Sequence, residues 1–102
     1  MANSQRLKVL ISLSDSQSDT ELLDKLFDLE IELAERVKEA GWGELDGNDI
    51  GEGFFTWYFF APDIDRMFNE LLPTLIAIPL PRGSYGIKRY GPDGAKEEVI
   101  HF

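Results

Sequence analysis

A chain of 102 residues with 19 acidic against 10 basic side chains, formal charge −9, is long enough for one domain and too negative to be drawn to a nucleic-acid backbone. Hydrophobic residues at 43% and charged residues at 28% mark an ordinary globular sequence, and no apolar run approaches the roughly 20 residues of a membrane-spanning helix. The absence of cysteine excludes disulfides, thiolate nucleophiles and cysteine-based metal sites, so a single domain over residues 1–102 in a reducing, cytoplasmic setting is expected.

Residues 6–14 read as a first strand, with Leu7, Val9, Ile11 and Leu13 on one face and Lys8, Leu10 and Ser12 on the other. Asp15-Ser16-Gln17 ends it. The Ser18-x-x-Glu21 spacing then predicts a helix start, the hydroxyl capping the third helical amide while the glutamate reaches back. This helix runs to about Ala40, with Gly41 placed for the left-handed turn that follows. Leu22, Leu26, Leu29, Leu33, Val37 and Ala40 form its apolar stripe, which Leu23, Phe27 and Ile31 widen. Glu21, Asp24, Asp28, Glu32, Glu35 and Glu39 fill the rest of the surface, either as the wet side of the helix or as an acidic docking face.

Residues 42–50 are short of apolar groups and broken by glycine, which suits an irregular edge strand. Gly51-Glu52-Gly53 hairpins it onto Phe54-Phe55-Thr56-Trp57-Tyr58-Phe59-Phe60, the most strand-like run in the chain. Phe55, Trp57 and Phe59 point one way; Phe54, Thr56, Tyr58 and Phe60 point the other. A strand apolar on both sides belongs inside a sheet with something over each face. Helices supply one cover, and the second is either a contact from outside the chain or the chain's own connector over residues 76–81.

Pro62, Asp63 and Asp65 suit the opening of a second helix, whose inner face is Ile64, Met67, Phe68, Leu71, Leu72 and Leu75. Pro73 is expected to kink or end it near Leu72. A proline-punctuated connector leads to a strand over residues 84–90, a turn at Gly91-Pro92-Asp93-Gly94, and a last edge strand over residues 97–102 that hairpins back on Lys88-Arg89-Tyr90. The order is that of an α+β, ferredoxin-like βαββαβ domain with an extra C-terminal strand, two helices lying on one face of an antiparallel sheet.

Catalytic chemistry leaves little trace. His101 is the one histidine, with no nucleophile placed beside it by sequence, and no phosphate-binding or dinucleotide fingerprint occurs. Asp46-Gly47-Asn48-Asp49-Ile50-Gly51 begins like a calcium loop and fails at Ile50 and at Trp57, so no metal site is assigned; Glu44, Asp46, Asp49 and Glu52 remain a looser cluster of carboxylates. The aromatic strand matches an RNA-binding signature only at its glycine and its outer aromatics, against an unfavourable charge.

Asp46-Gly47-Asn48-Asp49-Ile50-Gly51, the aromatic strand, Ala61-Pro62-Asp63-Ile64-Asp65 and Tyr90-Gly91-Pro92-Asp93-Gly94-Ala95 resemble a group of small, uncharacterised bacterial proteins with ferredoxin-like domains, of the kind met as immunity or accessory proteins. The resemblance spans residues 42–95 and implies no catalytic residue. The expectation is a non-enzymatic acidic protein-binding module without a cofactor, meeting a basic partner or a second copy of itself through Glu44, Asp46, Asp49, Glu52, Phe54, Trp57 and Tyr58. The alternative is a small-molecule sensor or enzyme with a site on the open sheet face of a dimer, using Arg89, Lys88, Tyr58 and Asp46.

Overall fold

A computed structural model describes residues 4–13, 18–78, 80–92 and 94–101, leaving out the side chains of Ser18 and Asp19. The predicted break at Asp15-Ser16-Gln17, the Ser18 hydroxyl cap, Pro79 of the connector and Asp93 of the last turn lie outside these residues. The elements are β1 (Gln5–Ser12), α1 (Ser18–Glu39), β2 (Glu44–Gly51), β3 (Phe54–Ala61), α2 (Ile64–Ala77), β4 (Tyr85–Arg89) and β5 (Glu97–His101). Five antiparallel strands form one sheet in the order β2-β3-β1-β4-β5, an α+β arrangement with β1 at its centre.

Register sorts the side chains. Leu7, Val9 and Ile11 stand opposite Phe59, Trp57 and Phe55, and all six are fully buried. They share one cluster with Leu26, Leu33 and Val37 of α1 and Ile64, Met67, Leu71 and Leu75 of α2, so both helices cover this side. The rings of Phe27, Phe55, Trp57 and Phe59 meet edge to face in series, with centroids 5.5, 5.4 and 6.4 Å apart.

The first helix ends as expected. Gly41 takes a φ of 73°, its amide donates to the Lys38 carbonyl, and the Trp42 amide donates to that of Val37, the two bonds of a Schellman stop. Gly43 follows with a φ of 147°, where a β-carbon would overlap the Phe60 carbonyl oxygen. The α1 stripe follows the prediction only in part: Leu23 is partly buried against the core, but Phe27 and Ile31 are 41% and 65% exposed, and Ala40, at the end of the stripe, is exposed. Phe27 and Ile31 lie on the β2 side of α1, roughly 100° or more around the helix from the buried line of Leu26, Leu33 and Val37, so only the edge of the Phe27 ring reaches the core.

Helix α2 departs further from expectation. It starts at Ile64, two residues after Pro62, with Asp63 as the cap whose carboxylate accepts from the Arg66 amide, and it runs through Pro73 to Ala77. Pro73 is exposed, so the Asn69 carbonyl that it leaves without an intrahelical donor sits on the hydrated side while Leu71 and Leu75 hold the inner face. The C-terminal hairpin forms as read, with Lys88 opposite Glu98 and Arg89 opposite Glu97.

Candidate functional site: the open face of the sheet

The side of the sheet away from the helices carries three registered rows. Asp49, Thr56, Leu10, Tyr85 and His101 make the first; Gly47, Tyr58, Lys8, Ile87 and Val99 the second; Glu44, Phe60, Arg6, Arg89 and Glu97 the third. Phe54 stands beyond the first row, opposite Ser12, and its ring meets Tyr85 edge to face at 5.7 Å. Phe54, Tyr58, Phe60 and Tyr85 are each only half-buried, whereas the rings pointing at the helices are sealed.

Between these rings lies a depression of about 390 Å³. Leu10 and Thr56 are its floor, Phe54, Tyr58 and Tyr85 its walls, and Asp49 with Glu52 its acidic rim on the β2 side. Lys8 also lines it, with Nζ 6.0 Å from the centre of the Tyr58 ring. Every lining residue belongs to the sheet or to the β2–β3 turn. The described part of the connector after α2 goes elsewhere: Leu80 packs against the helix-side core, and Ile76, Ile78, Leu80, Pro81 and Arg82 border a separate hollow of about 220 Å³. None of its described residues lines the open face.

The seven residues expected at a protein contact therefore separate. Phe54, Tyr58, Asp49 and Glu44 lie on the open face, and Glu52 is at its rim in the turn with a φ of 53°. Asp46 sits in the bulge between Leu45 and Gly47, off the regular register. Trp57 is a correction: it is fully buried on the helix side, and its indole Nε1 donates to Glu30 Oε1 at 2.8 Å. Asn48 Nδ2 donates to the same oxygen at 2.8 Å, so Glu30 ties α1 to both β2 and β3. Strand alternation forbids Phe54, Trp57 and Tyr58 from sharing a face.

The polar set of the alternative site is not assembled either. Lys88 faces the helices, almost buried, with Nζ 2.9 Å from Asp65 Oδ1, 3.7 Å from Glu98 Oε1 and 4.6 Å from the Phe68 ring centre. The Arg89 Nε donates to the Gly91 carbonyl at 2.7 Å, and Asp46 is near the opposite edge of the sheet. The Lys88 ammonium and the Tyr90 hydroxyl, which donates at 2.8 Å, hold the Asp65 carboxyl below its ordinary range. Burial first, and then the Asp65 carboxylate, push the Tyr90 hydroxyl well above the usual phenol value. This is a clip between α2, β4 and β5 on the helix side of the sheet, partly exposed and away from the open face.

Among the described residues no three His, Cys, Asp or Glu side chains converge to hold a metal ion, so the four carboxylates of the Glu44 to Glu52 stretch do not form a cation cage. His101 is exposed on β5, its ring 6.3 Å from that of Tyr85. Tyr85 and Lys8 were not singled out from the sequence. Lys8 joins through the β1–β3 register and Tyr85 through the β1–β4 register, neither of which a local pattern gives. Among the described residues no helix is long and apolar enough to cross a membrane. Comparison of the chain with protein-family models, with curated proteins and with solved structures yields no match.

Proposed function

We propose that the chain is a non-enzymatic, acidic protein-binding domain of ferredoxin-like type, acting in the cytoplasm, that meets a basic protein through the open face of its sheet. The observation that carries this reading is the set of half-exposed rings, Phe54, Tyr58 and Tyr85, around one depression that no other part of the described chain overlies. Aromatic anchors in a shallow recess are the side chains that dominate protein contacts. Asp49 and Glu52 on the rim, within a chain of charge −9, favour a cationic partner and accelerate its approach. The same charge opposes a second copy of the chain. A basic toxin held by an immunity-type protein is one partner with this chemistry.

The ferredoxin-like assignment is supported by the element order and by the placement of β1 between β3 and β4, with β5 added outside β4. A second reading, a small ligand in the depression, draws on its size, since ligand sites begin at about 300 Å³.

The test is capture from the source cell with wild type and with the Tyr58→Ser/Tyr85→Ser double variant. A basic protein held by the first and released by the second supports the reading. A captured protein held equally by both contradicts it, and a small molecule retained by wild type alone favours the second reading.

A further inference from the structure

The outer edge of β2 has no strand beside it among the described residues. On the helix side of that edge Ile50, Phe27 and Ile31 are 49%, 41% and 65% exposed. They form one patch. Ile50 is the register partner of Phe55, against whose ring Phe27 packs, and Ile31 lies one turn along α1 from Phe27. The Glu30 to Asn48 hydrogen bond fixes this part of α1 over β2. On the opposite side of the same edge, Asp49 and Glu44 point outward along the open face.

We propose that the β2 edge accepts an extended segment of another protein as a sixth strand, alternating apolar and basic side chains. Main-chain hydrogen bonds to β2 would give the pairing. The apolar side chains of the added strand would lie beside Ile50 and next to Phe27 and Ile31, while its Lys or Arg side chains would meet Asp49 across the ladder. Charge selects this occupant over a second copy of the chain, because antiparallel pairing of β2 with itself over Gly47 to Gly51 sets Asp49 against Asp49 in a chain of charge −9. The bulge at Asp46 confines regular pairing to the stretch from Gly47 to Gly51. This edge is a different surface from the aromatic depression, sharing Asp49 and Gly51 with it.

The probe is the synthetic peptide acetyl-Lys-Val-Lys-Val-Lys-Val-Lys-amide, titrated into isotope-labelled protein and followed by amide chemical shifts. The expected result is saturable shifts at residues 47–51 and around Phe27 and Ile31, with Leu10 and Tyr85 unmoved. Ile31→Ser, at a position exposed enough to leave the fold intact, should weaken binding about tenfold, as should replacing every Val of the peptide by Ser. Equal affinity for Ile31→Ser or for the serine peptide would overturn the proposal. So would shifts confined to Leu10 and Tyr85, or a dilution series showing the edge already paired with a second copy.

Discussion

Glu30 reaches from α1 to the indole of Trp57, its Oε1 accepting from Nε1 at 2.8 Å while also accepting from Asn48. A buried indole N–H without a partner is costly, so this one carboxylate makes it possible for Trp57 to be the largest sealed side chain of the core. Glu30→Ala should lower the unfolding free energy by about 2 kcal/mol. Glu30→Gln, which keeps an acceptor, should lose less than half of that. Urea denaturation followed by tryptophan fluorescence measures both, and equal losses would show that the hydrogen bond is not what holds the site.

Gly43 joins α1 to β2 at a φ of 147°, with the Phe60 carbonyl oxygen and the Met67 methyl where a β-carbon would go. The Met67 methyl is the end of a flexible side chain, but the β3 backbone at Phe60 cannot yield cheaply. Gly43→Ala should cost about 2 kcal/mol or more, from the overlap and the backbone strain together. Gly41→Ala, with open space at its β-carbon, should cost only about 1 kcal/mol from its positive φ. Thermal melts of the two variants compare them directly.

The carboxyl of Asp65 is held below the ordinary aspartate value of 3.8, first by the Lys88 hydrogen bond and then by that of Tyr90. Because the folded-state value is the lower one, the clip stabilises fully above the ordinary value and its contribution is lost as pH falls below 3.8 toward the folded-state value. Asp65 is 55% exposed at its side chain, so the effect is small. Asp65→Asn should lower stability at neutral pH and flatten that acid limb. Melts between neutral pH and the acid range show the flattening or its absence.

Pro73 sits inside α2 without an amide to donate, at an exposed position. Pro73→Ala restores the donor and improves helix propensity without touching the inner face, and should raise stability by about 1 kcal/mol. A loss of stability would mean that the proline's stiffening of the unfolded chain outweighs the missing bond.

Much of the architecture could be read from the residues. The two apolar faces of β3 identify an interior strand, Gly41 marks the helix stop, and the alternation in β1 names Leu7, Val9 and Ile11 as core. What escaped depends on position across the sheet. Phe27 and Ile31 look like core by helical spacing, but they fall on the flank of α1 beyond Glu30, which takes the place over the sheet by bonding Trp57 and Asn48. Pro73 looks like a stop, yet it falls on the hydrated side of a helix held by Leu71 and Leu75. Grouping Trp57 with Phe54 and Tyr58 ignored strand alternation, a rule the sequence itself supplies. Tyr85 joins Phe54 only through the register of β1 with both β3 and β4.

The most direct check on the open face as the recognition surface is an amide and methyl chemical-shift map of the labelled chain, taken while its captured partner is titrated in. Shifts should centre on Leu10, Thr56, Tyr58 and Tyr85, with the outer sides of α1 and α2 silent. A map confined to those helices, leaving Thr56 and Tyr85 unmoved, would contradict the reading.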